Sequence, residues 1–167
     1  MTDVSALNFI LSFAAALIAH ELGHLVASRL CGISITEAGL GWGPVMLRAR
    51  ARGMNLKFRL LPLGAYIKMD MVALQRRTLV QQLFVLLAGI MVNLLLGTLA
   101  FGTFFGTINL ALALGNLFPI YQQDGWKALM VTSRRVFNRP VPVIEWSFTI
   151  AAGISALVLA GLLFSIL

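Results

Sequence analysis

The sequence predicts a membrane all-α bundle: four transmembrane helices, with a small β-hairpin or sheet inserted between the first two. Three observations carry this. The 167 residues are 59% hydrophobic and 11% charged, with mean hydropathy +0.90, and a soluble domain of this size needs far more polar surface. The apolar residues gather in runs long enough to cross a bilayer. Between the first two runs the apolar period changes from helical to alternating. One integral membrane domain over residues 1–167 is the expectation.

Charge gives the orientation. All 13 basic residues fall in two segments, nine from Arg29 to Arg77 and four from Lys127 to Arg139. A net charge of +7 can signal nucleic-acid binding, but its confinement between apolar runs argues against that partner. By the positive-inside rule both basic segments are cytoplasmic and both termini lie outside. The basic side chains then meet lipid headgroups. The single Cys31 excludes an internal disulfide and reads as a small packing residue beside Gly32.

The first span covers about residues 5–28. No Lys or Arg precedes it and no small-residue cleavage site follows, so it reads as a retained helix rather than a signal peptide. It contains Ala19-His20-Glu21-Leu22-Gly23-His24. His20 and His24, four residues apart, project from one helix face and can share a Zn²⁺. Glu21, about a hundred degrees around the helix, can reach a water at that ion as a base. Ionisable groups in a spanning helix are costly and mark function; the structural alternative is a pair of histidines satisfied by each other or the backbone. Fifteen residues of helix from Ser5 place His20 roughly 22 Å deep, nearer the cytoplasmic side.

The β-region covers about residues 33–69. Leu47, Ala49 and Ala51 alternate with Arg48, Arg50 and Arg52, and Leu56, Phe58 and Leu60 alternate with Lys57 and Arg59. A turn at Gly53-Met54-Asn55 makes this a hairpin with one apolar and one wholly basic face. Ala65 to Met69 can add a further strand. The sheet either fills the loop at the membrane surface or leaves an edge for an extended peptide near the metal.

The second span covers about residues 79–101 and is interrupted by Gln81, Gln82 and Asn93. Asn93 is either interhelical glue or a functional amide, and Gly89 and Gly97, four residues to either side, suit close helix packing. The third span, about 107–123, meets Asn116-Leu117-Phe118-Pro119, where proline opens the helix. Asp124, about 25 Å of helix beyond Thr107, reaches roughly the depth of His20. As an N-cap it would start the basic helix from Trp126 to Phe137. Its depth, and the lack of a third ligand for the histidine pair, favour the metal. The fourth span covers about residues 144–167, with Trp146 as interfacial anchor and Glu145 solvated or paired with arginine.

On these residues the chain resembles the site-2 proteases, the intramembrane zinc metalloproteases of peptidase family M50. Four stretches carry the resemblance: His20-Glu21-Leu22-Gly23-His24; Pro62-Leu63-Gly64-Ala65-Tyr66-Ile67-Lys68-Met69; Ala88-Gly89 with Asn93; and Asn116-Leu117-Phe118-Pro119 leading to Asp124-Gly125. The resemblance implies one Zn²⁺ on His20, His24 and Asp124, with Glu21 as general base. It also implies that Asn93 and Asn116 help bind substrate or the reacting carbonyl and that the β-region receives unwound substrate. Ile90 stands where the family usually has proline, and Gln123 where it usually has leucine. The PDZ domain many members carry between the second and third spans is absent, which makes this a compact member. The expected activity is hydrolysis of peptide bonds in or next to transmembrane segments of membrane proteins, in the bacterial cytoplasmic membrane. A non-cutting relative that binds membrane proteins, and a metal transporter using the same ligands, are the alternatives. Loss of Glu21 or a ligand would mark the first, and polar sites at several depths the second.

Overall fold

The computed structural model describes residues 6–51, 53–118, 122–138, 142–143, 145–151 and 153–154. In order they form α1 (Ala6–Leu30), β1 (Ile35–Ala51), β2 (Met54–Met69), α2 (Met71–Gln75), α3 (Leu79–Leu99), α4 (Phe104–Leu117) and α5 (Asp124–Val136).

Helix α1 is partitioned by size rather than polarity. Leu7, Leu11, Ile18, Leu22, Val26 and Leu30 are exposed, while Ala16, His20, His24, Ala27 and Ser28 are buried. Such a helix presents bulk to the outside and small or polar groups to its neighbours, the pattern of a lipid-facing span. Helix α3 repeats it only in part: Val80, Met91, Leu95 and Leu99 face out, and Ala88, Gly89, Asn93 and Gly97 face in, but Val85, Leu86 and Ile90 are buried beside them. Among the described residues these two helices, Leu7–Leu30 and Leu79–Leu99, are long and apolar enough to cross a membrane.

Helix α4 departs from the expected 107–123. It starts earlier, where the Thr103 hydroxyl accepts the Gly106 amide at 3.0 Å, and runs for 14 residues, about 21 Å. It ends because Phe118, at φ −61° and ψ 139°, precedes a proline, which disfavours the α conformation in the residue before it. The described residues between 142 and 154 are helical, but most of the expected fourth span lies outside the described residues.

The β-region is an antiparallel pair, as the expected hairpin requires, with Leu47 opposite Phe58, Arg48 opposite Lys57 and Ala49 opposite Leu56. Both strands bend. Residues 37–40 are flanked by 65–68 on one side and by 55–58 on the other, so the two chains make a sheet wider than a hairpin. The bend in β1 uses Gly41 and Gly43, at φ 94° and 90°, values that suit glycine. This bend corrects the expectation of a wholly basic face. It brings Glu37 to Lys57 at 2.6 Å, the Tyr66 hydroxyl at 2.7 Å and Lys68 at 3.4 Å. The bond from Lys57, then that from Tyr66, holds the Glu37 carboxyl down at about 2.

The short α2 follows Asp70, whose side chain accepts the amides of Val72 and Ala73 at 2.9 and 3.0 Å. Thr78 and Gln81 then form a capping box at the start of α3. Gln82, buried beside them, donates to the carbonyls of Arg77 and Gln75 at 2.7 and 3.3 Å. The compact core, Ala27, Ile33, Leu74, Val85, Leu86, Ala88 and Ala128, lies where α1, α2, α3 and α5 meet. Cys31 packs against it. Glu145 pairs with Arg134 through two bonds of 2.7 and 2.8 Å.

Candidate metal centre

The buried stripe of α1 carries two imidazoles. His20 and His24 are 4% and 5% exposed, and their Nε2 atoms lie 3.2 Å apart. The ring of His24 is fixed by its other nitrogen: Nδ1 lies 2.8 Å from the Val85 carbonyl, to which it can only donate. That bond leaves Nε2 as the lone-pair nitrogen. Among the described residues no such partner fixes His20, whose Nδ1 is buried without one.

Helix α5 brings the third group. Asp124 is the first helical residue rather than the cap; Gln123 takes the cap position and makes no side-chain bond there. The carboxylate turns inward instead, with Oδ2 2.9 Å from His20 Nε2 and 3.0 Å from His24 Nε2. Oδ1 accepts from Lys127 at 3.0 Å. The approach depends on Gly125, because a β-carbon there would collide with the Leu117 carbonyl at the end of α4 and lie 3.0 Å from that of Asn116. The neighbouring wall is Gly89 of α3, on which both imidazoles rest.

The geometry fits a divalent cation. One ligand atom from each of His20, His24 and Asp124 lies within 4.8 Å of the others, and all three residues are buried. A lone-pair nitrogen of His24 turned towards a carboxylate and a second imidazole, in a site shielded from water, calls for a positive charge between them. Two imidazoles and a carboxylate form a donor set of the kind zinc uses in hydrolytic sites.

Glu21 lies on the side of α1 facing the sheet. It lines an apolar cleft of about 310 Å³ between that helix and residues including Gly39, Leu56 and Tyr66. Asn93 is fully buried on α3, one turn beyond Gly89, and neither polar atom of its side chain has a partner among the described residues. Among those residues it lacks the interhelical bond expected of glue. Asn116 donates to the Leu112 carbonyl of its own helix at 2.9 Å. Neither asparagine lines the cleft beside Glu21. Ile90 is buried in the α3 packing face. The sequence puts Lys127 on a basic helix facing headgroups, whereas the structure pairs it with Asp124; the signal was its place three positions after Asp124, a spacing that brings side chains together on a helix.

A buried two-histidine, one-carboxylate cluster on a bundle with lipid-facing helices defines a class of membrane metalloprotein. Residues 8–107 match the family described as Peptidase family M50, and the chain belongs to that family. It is 31% identical over 100 residues to a Clostridium perfringens protein named "Putative zinc metalloprotease", covering 55% of this chain and 30% of that protein. Identity to the zinc metalloprotease RasP of Geobacillus kaustophilus is 37% over 65 residues, 39% of this chain and 15% of the relative. With the regulator of sigma E protease of Haemophilus influenzae it is 30% over 107 residues, 56% and 24% of the two chains. The chain thus spans less than a third of the length of these curated relatives.

Proposed function

We propose that this chain is an intramembrane zinc metalloprotease that hydrolyses peptide bonds in or next to the transmembrane segments of other membrane proteins. The observation that carries the reading is the convergence of His20, His24 and Asp124 within 4.8 Å, with Glu21 on the adjoining cleft. In this reading His20, His24 and Asp124 hold one Zn²⁺. Bound Zn²⁺ supplies Lewis-acid chemistry that makes water nucleophilic at neutral pH.

The chain's own residues do the rest. Glu21 takes a proton from the attacking water and returns it to the departing amide nitrogen. The His24–Val85 bond keeps one ring nitrogen free of its proton. The apolar cleft between α1 and the sheet receives an extended stretch of substrate, which must have left its helix, since a helical peptide bond is shielded and its backbone already bonded. Asn93 and Asn116 are assigned to the substrate or its reacting carbonyl, where fixed donors stabilise developing negative charge. Four spans, with the basic segments in the cytoplasm and both termini outside, complete the topology.

The test is purified protein incubated with a panel of single-span substrates, wild type against Glu21→Gln. Wild type cleaves, and Glu21→Gln keeps its Zn²⁺ while losing about 10²–10⁴-fold in rate. Metal flux into proteoliposomes without any peptide cleavage would overturn the reading.

A further inference from the structure

Asp124 divides its carboxylate between two environments. Oδ2 faces His20 and His24 at 2.9 and 3.0 Å, and Oδ1 accepts from Lys127 Nζ at 3.0 Å. The two partners differ sharply in exposure: the Asp124 side chain is 8% exposed and that of Lys127 is 39%. The lysine therefore reaches from the surface, beside a cleft of about 470 Å³ shared with Leu86, Met130 and Arg135, down to a buried acid.

We infer that Lys127 is a positioning residue: its ammonium holds one oxygen of Asp124 away from the imidazole pair, so that the other oxygen alone is offered to the metal. Two facts support this. The two residues are in the first turn of α5, three apart, so the helix backbone itself sets the pair's geometry. The turn is pinned by Gly125 against the end of α4, which leaves the carboxylate little freedom except rotation about its own bonds. That rotation is what the Lys127 bond stops. A carboxylate free to rotate could present both oxygens and fill the position a hydrolytic site keeps open for water. Partners that hold a ligand's far atom orient it and raise its hold on the metal.

The inference rests on the metal reading above, and the experiment separates the two. Zn²⁺ affinity is measured by chelator competition for wild type, Lys127→Met, Asp124→Ala and the double variant, and absorption spectra are recorded with Co²⁺ in place of Zn²⁺. Lys127→Met keeps most of the side-chain stem and removes the donor. It is expected to bind Zn²⁺ about 10–100-fold more weakly, and its Co²⁺ bands should lose intensity as the coordination number rises. In the Asp124→Ala background the same substitution should change affinity by less than about twofold, because the oxygen it orients is gone. Equal affinity and spectra for wild type and Lys127→Met would overturn the inference while leaving the metal reading intact. An undiminished loss in the Asp124→Ala background would also overturn it, since Lys127 would then act independently of that carboxylate. Absence of Zn²⁺ binding by wild type overturns both. Circular dichroism of the metal-free forms checks folding; if Lys127→Met unfolds, Lys127→Gln is read against the same outcomes.

Discussion

Gly89 lies directly under His20: a β-carbon built on it would sit 2.6 Å from the imidazole Nε2, and 2.5 Å from that of His24. The histidine rings occupy the space a side chain would need, so Gly89→Ala must displace at least one ring. Overpacking of this kind costs about 1–3 kcal/mol. If that falls on the rings rather than the bundle, Zn²⁺ affinity drops roughly 5–150-fold. Chelator competition measures it, and a Gly97→Ala control, which crowds Leu110 instead, should reduce thermal stability without a comparable loss of metal.

Gly125 does the same for the other side of the cluster. Gly125→Ala pushes the start of α5 off the Leu117 carbonyl and carries Asp124 away from the imidazoles. The expected result is normal helical content by circular dichroism and Zn²⁺ well below one equivalent per chain by elemental analysis.

Asn93 offers a cleaner separation of stability from activity. Its amide is fully buried with neither polar atom bonded among the described residues, and exchanging such a group for an apolar one of similar size can be neutral or stabilising. Asn93→Leu should therefore melt within about 1 kcal/mol of wild type while cleavage falls about 10²–10³-fold, as when a fixed donor to a developing oxyanion is removed. A large loss of stability would return Asn93 to helix packing.

The sheet has its own pH dependence. Glu37 titrates at about 2 in the folded protein against an ordinary 4.5, so its depressed value stabilises the fold fully above pH 4.5. That contribution is lost as pH falls from 4.5 towards 2. Wild-type melting temperature should decline across this window, and Glu37→Gln should lack that share of the decline while starting lower at pH 7.

Local patterns made part of this legible before any coordinates. Two histidines four apart declare a shared face, and alternation on either side of a glycine turn declared a hairpin, whose strands pair antiparallel with Leu47 against Phe58 and Arg48 against Lys57. Counting helix residues from Thr107 put Asp124 near the level of His20; the helix instead ends at Leu117, and the fold brings the two side chains to 2.9 Å. Unread signals were also local: Thr78 and Gln81 have the spacing of a capping box, and Asp70 before an apolar run is a helix start. The bend that returns residues 37–40 against 55–58 was not legible, because alternation fixes a strand's faces and not its neighbours. Nor was the seat that Gly89 gives the imidazoles, which exists only once α1 and α3 are docked.

Helix α1 assigns its two long faces to different solvents: leucine and valine to the outside, alanine, serine and histidine to the inside. Because successive residues are turned by about 100°, adding one residue between Ala16 and His20 would swing both imidazoles out of the cluster and carry bulky side chains inward. The same addition before Leu7 would merely lengthen the end. The candidate metal cluster is thus phased to the bundle like a cam on its shaft, and insertion scanning along α1 should find a sharp boundary between positions that keep metal binding and positions that abolish it.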